Sequence, residues 1–313
     1  MHTICACDAA GPETNEPPAK EDGAGDRPVW IDECMAVPGC TTPHVVSHRG
    51  EGTGAPENSL SAINEAFALG ADIVEIDVRV TKDDIPVLMH DTTLMRTTNQ
   101  EDVDAARPEV KDWTYDELKE LALFDPSGLC EEASTREVTR CQIPTLAEAV
   151  ETARGQGLLM LDYKAERSDI ALIAAVLVES NAENSLFFFD SDLDVNLEMA
   201  ALVPGLVVMP RAYHTEDIGS ILEETSPLMI HIEPHFMQEA SDYLSGEPIK
   251  LFADVFFDFD YFIVAAEVSG DGDHINEANE TIAELMDAGA HILQTNRPVE
   301  LREAMNLWLS KQD

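Results

Sequence analysis

Positive charge is what this chain has least of. Its 19 Lys and Arg stand against 61 Asp and Glu, for a formal net charge of −42. A surface so negative repels phosphate backbones and anionic lipids, which argues against a general nucleic-acid or membrane-surface binder. An anionic substrate therefore needs a pocket made locally positive by a metal ion or by the few Arg and Lys residues. No apolar run reaches the length of about 18 residues that a membrane-spanning helix needs, so no transmembrane segment is expected. A glycine-rich nucleotide fingerprint after the first strand-like run is also missing. Gly50-Glu51-Gly52-Thr53-Gly54 is a flexible loop, and alone it is weak as a sign of phosphate binding.

Cysteine is sparse as well, and its six positions (5, 7, 34, 40, 130 and 141) fall outside every segment that reads as strand. Cys34 with Cys40, and Cys130 with Cys141, are spaced to close small loops, as disulfides in an oxidising compartment or as free surface thiols. A zinc site fits less well, since no histidine completes a familiar ligand spacing. Residues 1–28 are rich in Pro, Gly, Ala and acidic side chains, which reads as a flexible tether. Ile4-Cys5-Ala6-Cys7 vaguely resembles a lipoprotein attachment site, and an extracytoplasmic location (periplasmic, secreted or lipid-anchored) is the expectation.

The 44% hydrophobic content is enough for a sizeable core, and 313 residues admit one large α/β barrel or two smaller domains. After an irregular lead-in at 29–43, the pattern settles the choice. Eight short apolar runs, at 44–47, 72–81, 157–164, 185–190, 206–209, 228–233, 250–257 and 291–295, alternate mostly with helix-like segments. The helical readings are 58–69, 145–154, 168–180, 192–202, 215–224, 276–288 and 299–309, with a short helix from about residue 113. Strands alternating with helices argue for parallel βα units, and eight of them for a closed (β/α)8 TIM barrel over residues 29–313. An open doubly wound sheet is the runner-up. The pattern weakens over 92–143, which reads as a loop and helix insertion after the second strand region, and long loops of that kind are usually functional.

The chemistry gathers at strand ends, where parallel α/β folds place it. His48-Arg49-Gly50 follows the first run. In the second, Ile73, Glu75 and Asp77 alternate with Val74, Ile76 and Val78, so the two carboxylates share a face. That spacing suits a hard divalent cation that takes oxygen ligands, and Asp162 near the end of the third run offers another. His90-Asp91 closes a further short run.

These residues resemble a known family. His48-Arg49-Gly50, Pro56-Glu57-Asn58-Ser59, Glu75-Ile76-Asp77, His90-Asp91, Ile143-Pro144-Thr145-Leu146 and Asp162-Tyr163-Lys164 follow the order and approximate spacing of the glycerophosphodiester phosphodiesterases. Thr295-Asn296-Arg297-Pro298 resembles that family's closing strand. The likeness runs from about residue 44 to the C-terminus and is weakest over 181–276. It implies a metal-dependent barrel enzyme acting on a small-molecule glycerophosphodiester, with His48 and His90 as general acid and base. It further implies that Glu75, Asp77 and Asp162 bind one Mg²⁺ or Ca²⁺ ion and that Arg49 and Lys164 hold phosphate oxygens. Glu57 is placed to contact the metal or orient His48, with Asn58 supporting that turn. The family usually has Glu where Asp162 stands, so the shorter arm implies a bridging water or a shifted ion.

The implied reaction is hydrolysis to sn-glycerol 3-phosphate and an alcohol. A phospholipase D-like or cyclising lyase acting on lysophospholipids or sphingomyelin would use the same site, and a non-catalytic metal-binding barrel would keep only the carboxylates. Other candidates have plainer readings. His44 and His291 sit at strand starts, the stability face of a barrel. His231 and Glu233 either line the site or are hydrogen-bonded barrel residues. The Phe187-Phe188-Phe189 and Phe256-Phe257 runs read as core.

Overall fold

Alternating side chains set the architecture. In β2 (Ile73–Val80), Val74, Ile76, Val78 and Val80 pack outward against helices, while Ile73 joins the apolar barrel interior and Glu75 and Asp77 rise above it. The interior layer combines Val46, Ile73, Leu158, Met160, Phe187, Phe189, Met209, Met229, Phe252 and Ile292. It fills the barrel, leaving polar groups only at the strand ends.

The computed structural model describes residues 42–52, 54–98, 104, 106–124 and 142–312. The expected tether, most of the lead-in, all six cysteines and the polar part of the insertion lie outside the described residues. In chain order the strands are β1 (His44–Ser47), β2, β3 (Pro86–Leu88), β4 (Leu158–Tyr163), β5 (Leu186–Phe189), β6 (Val207–Met209), β7 (Arg211–Ala212), β8 (Met229–Ile232), β9 (Lys250–Asp254) and β10 (Ile292–Thr295). Parallel pairing runs β6-β5-β4-β2-β1-β10-β9-β8-β7. β6 and β7 are the two halves of one strand, broken at Pro210. The first half bonds to β5 and the second to β8, and the Pro210 carbonyl accepts from the His231 amide at 2.9 Å. Eight strand positions thus form a ring, the (β/α)8 barrel expected from the hydrophobic pattern.

Helices cover the outside: α1 (Leu60–Ala68), α2 (Tyr115–Leu118), α3 (Leu146–Ala153), α4 (Ile170–Glu179), α5 (Leu193–Leu202), α6 (Thr215–Glu224), α7 (Met237–Tyr243), α8 (Phe259–Ser269), α9 (Asp273–Asp287) and α10 (Pro298–Leu309). Local chemistry starts several of them. The Ser59 hydroxyl accepts from Ala62 N at the head of α1, and Thr145 with Glu148 forms a capping box on α3, each cap contributing about 1 kcal/mol. Gly50 has φ +71°, and a Cβ there would stand 2.6 Å from the Ala62 Cβ, so only glycine lets the loop after β1 lie against α1.

Three readings change. The strand expected over 250–257 stops at Asp254, because Phe256 and Phe257 turn out of the sheet. Phe257 is 87% exposed, so this pair is not core, whereas Phe187, Phe188 and Phe189 are all buried. α7 and α8 are additional helices, and α9 begins at Asp273, three residues before the expected 276. Within the insertion, Leu94, Val110, Trp113, Leu118, Leu121 and Leu123 make a small core of their own with Val87, Met89 and Ile143.

Candidate active site

The polar end of the barrel is built from the chain turns after β1 and β2 and from the tips of β4 and β7–β10. Past Ser47, the residues His48–Gly50 form a single 3-10 turn in which Arg49 takes the left-handed conformation, φ 53°. Asn58 is left-handed too, at φ 56°. Such backbone is uncommon for residues other than glycine and persists where the surroundings hold it. Here the restraints are explicit. Arg49 N donates to Glu75 Oε2 at 2.8 Å, and Asn58 N donates to the Arg49 carbonyl at 2.9 Å. The Asn58 amide also brackets Asp77, donating to its Oδ2 at 2.8 Å and accepting from its backbone N–H at 3.0 Å. Asn58 therefore locks the loop to β2.

Glu75, Asp77 and Asp162 converge. Asp77 and Asp162 are register partners on adjacent strands, and each of the three acids offers an oxygen within 4.8 Å of the others. Glu75 and Asp77 are each 1% exposed, and Glu75 Oε1 and Asp77 Oδ1 have no hydrogen-bond partner. Burial, with the charges of Asp77 and Asp162 added, raises Glu75 well above the usual carboxylate range. Burial also pushes Asp162 up to about 6, against the pull of Lys164. Two buried acids, each with an unpartnered oxygen, and the half-buried Asp162 fit a hard divalent cation, and the shorter Asp162 still reaches the cluster.

The basic residues close the same pocket. Lys164 Nζ lies 2.7 Å from Asp162 Oδ2 and 3.8 Å from Asp77 Oδ1. Arg49 reaches Asp77 Oδ2 at 3.3 Å and Glu57 Oε1 at 3.2 Å. Glu57 stands outside the metal cluster. It is held by Arg49 and by both terminal nitrogens of Arg96, so it neither joins the three acids nor orients His48.

His48 is oriented instead by Asn296, whose Oδ1 accepts from Nδ1 at 2.7 Å. This leaves Nε2 as the nitrogen with a lone pair, 4.0 Å from Glu75 Oε2. Burial first, and then the Arg49 charge, lowers His48 to about 4, so the ring is neutral around pH 7. The Phe256 ring, 4.4 Å away between centroids, packs on it. His90 arrives differently from the barrel histidine. β2 overshoots the ring and β3 returns antiparallel to it, bringing the chain back until Met89 N bonds the Asp77 carbonyl at 3.0 Å. His90 follows on the rim, with Nδ1 2.7 Å from Asp91 Oδ1. Arg96 first, and His90 second, hold Asp91 far below the usual carboxylate range. The pairs Asp91–Arg96, Arg96–Glu57 and Glu57–Arg49 join His90 to the first loop.

His48, Asp162 and Lys164 line one cavity of about 320 Å³ with Asp190, Arg211, Tyr213, His231, Asp254, Phe256 and Gln294. His90 is not among the residues lining it. Sequence reasoning missed Asn296, Arg79, Arg96 and Phe256. Arg79 had a readable signal, since it continues the Glu75, Asp77 alternation. It donates to the His90 carbonyl at 2.8 Å and to the Lys164 carbonyl at 2.6 Å, tying the two strand ends together.

Comparison with known proteins agrees with this arrangement. Residues 48–192 match the Glycerophosphoryl diester phosphodiesterase family. A glycerophosphodiester phosphodiesterase of Caldanaerobacter subterraneus subsp. tengcongensis is 46% identical over 77 residues, which cover 25% of this chain and 29% of that protein. Another, from Bacillus altitudinis, is 29% identical over 185 residues, covering 54% of this chain and 70% of its own. The match to rat glycerophosphodiester phosphodiesterase 1 covers 43% of that protein, so the chain spans less than half of two of the curated relatives it matches. The crystal structure of a glycerophosphoryl diester phosphodiesterase from Parabacteroides distasonis superposes with a TM-score of 0.70 at 25% identity, covering 88% of this chain and 92% of the other. An Oleispira antarctica phosphodiesterase, solved in complex with its product sn-glycerol-3-phosphate, shares the fold with a TM-score of 0.65 at 24% identity, over 85% of this chain and 97% of its own. Matching motifs, barrel and site together make this chain similar, over residues 48–192, to the glycerophosphoryl diester phosphodiesterase family.

Proposed function

We propose that the chain hydrolyses glycerophosphodiesters to sn-glycerol 3-phosphate and an alcohol, using a divalent cation, Mg²⁺ or Ca²⁺, held by Glu75, Asp77 and Asp162. The observation that carries this reading is the meeting of three carboxylates, two of them buried with unpartnered oxygens, beside a neutral imidazole, with Asp162, His48 and Lys164 lining one cavity. The product held by the Oleispira relative supports the same reaction. When bound, the cation supplies charge neutralisation for the nonbridging phosphate oxygens, usually a large catalytic contribution.

The rest follows from the chain's own groups. Lys164 and Arg49, each already turned toward the acids, offer their remaining N–H donors to phosphate oxygens. His48 Nε2 removes the proton from the attacking hydroxyl: water gives sn-glycerol 3-phosphate directly, whereas the neighbouring glycerol hydroxyl gives a cyclic phosphate that a water must then open. Burial and the Arg49 charge outweigh the pull of Asn296 toward a second proton, so the ring stays neutral. His90, its Nδ1 held 2.7 Å from Asp91 Oδ1, donates a proton to the leaving alkoxide. The two histidines are thus held by different Nδ1 partners, the Asn296 amide for His48 and the Asp91 carboxylate for His90.

The test is a glycerol 3-phosphate assay on glycerophosphocholine. EDTA is expected to abolish turnover, and His48→Ala and His90→Ala each to lower kcat by about 10²- to 10⁴-fold. Wild-type turnover after loss of either imidazole removes that residue from the mechanism.

A further inference from the structure

For His90 to serve the proposed reaction, its ring must keep a set distance from the phosphate that Lys164 holds. Lys164 lines the catalytic cavity, but His90 stands outside that lining, on the rim beyond β3. The sheet does not carry it there. β3 ends at Leu88, and Met89 N bonds the Asp77 carbonyl one residue later. Beyond that point Arg79 takes hold of the chain. Its Nε donates to the His90 carbonyl at 2.8 Å, and its Nη1 donates to the Lys164 carbonyl at 2.6 Å.

Arg79 is an unusual arginine for this chain. Among the described residues every other arginine pairs with a carboxylate, whereas Arg79 makes no ion pair. Asp77, Asp91 and Glu109 act on it only through space. In a chain with 61 acidic side chains, a half-buried guanidinium thus directs two N–H donors to the backbone of two separate segments. Geometry accounts for the choice of residue. A planar guanidinium presents its donors in a rigid fork, so two carbonyls bound to it keep a fixed separation, which an ammonium on a flexible stem does not impose. Lys164 depends on the fork less, because its own N donates to the Val78 carbonyl at 3.1 Å.

We infer that Arg79 is a positioning residue for the proton donor: its fork clamps the His90 backbone to the Lys164 strand end and so sets the reach of the His90 ring toward the leaving oxygen. The inference rests on the phosphodiesterase reading and deepens it. Arg79 acts through His90 and is not itself a catalytic residue.

Steady-state kinetics of the full chain with added divalent cation, on glycerophosphocholine and on glycerophospho-p-nitrophenol, test this. The choline alkoxide needs a proton in order to leave, whereas the nitrophenolate leaves without one. Misplacing a catalytic group by about 1 Å costs about 10²-fold, so Arg79→Met is expected to lower kcat on the choline ester by that factor while nearly sparing the nitrophenyl ester and KM. Arg79→Lys keeps the charge but not the fork, and the same split is expected of it. An equal fall on both esters, wild-type kcat on both, or a rise in KM alone overturns the placement of His90. A split in Arg79→Met that Arg79→Lys abolishes overturns the fork. His90→Ala, run beside them, keeps the two readings apart. Absence of wild-type turnover sinks the reaction, and no split in His90→Ala sinks the acid role. A split in His90→Ala with none in the Arg79 variants sinks only the positioning.

Discussion

Asp162 has a shorter arm than the glutamate usual at its position, and it sits beside a lysine that holds it in place. Burial pushes its carboxyl up to about 6 and raises Glu75 in the same direction. A cation needs both ionised, so metal affinity falls as pH drops through about 6, where Asp162 takes up a proton. His48 titrates lower, at about 4, so the acid limb of the pH-activity profile is set by the acids and not by the imidazole. The checkable consequence is a thermal shift. Excess Mg²⁺ or Ca²⁺, at about 100 times its Kd, stabilises the fold by about 2.7 kcal/mol. That amounts to several degrees at pH 7.5. The shift is expected to shrink toward pH 5 and to be absent in Asp162→Asn. A shift of the same size at both pH values would place the ion elsewhere.

At the scale of elements, α8 does more than cover the sheet. Its Asp260, 6% exposed, accepts from the Thr295 hydroxyl and, at 2.9 Å, from Asn296 N, and Asn296 in turn orients His48. Burial pushes Asp260 up to about 6, a cost that its two donors partly offset. Asp260→Ala leaves those donors unsatisfied, with an expected loss of about 1–3 kcal/mol in denaturant unfolding. A fall in kcat with little change in KM is expected alongside, since the His48 ring loses its indirect brace while the phosphate contacts stay. Wild-type kcat in a destabilised variant would reduce Asp260 to a structural residue.

That relay also marks where reading the residues stops. Glu75 and Asp77 were legible because strand alternation puts both on one face, and Asp162 because it sits near the end of an apolar run. The eight strand runs were legible because the barrel buries both of their faces. α8 was not, because Phe-Asp-Tyr-Phe-Ile-Val-Ala-Ala follows directly on an apolar strand and shows no clear helical stripe, although only Phe259, Asp260 and Ile263 are buried. The roles of Asn296 and Asp260 depend on contacts 248 and 36 residues apart in the chain, which no local pattern encodes. Glu57 illustrates the converse. Its place in the motif suggested a metal or histidine contact, but two arginines compete for its carboxylate and win.

For the whole molecule, the excess of acids explains why so many of its arginines are already engaged: Arg49, Arg96, Arg211, Arg297 and Arg302 all pair with carboxylates. Among the described residues these arginines are already paired, so capture of an anion depends on the pocket itself. The ring around that pocket has one weak joint. At Pro210 the backbone offers no N–H, and the short halves on either side cling to different neighbours, β5 and β8. It stands four places round from β1, the farthest point from His48. Breathing of the barrel is therefore expected to begin there, with amides of residues 207–212 exchanging with deuterium before those of β1 and β2. Equal protection all round would deny the joint. With it, the barrel has a hinge line on the side farthest from His48, where the ring can loosen while the acids and both histidines keep their spacing.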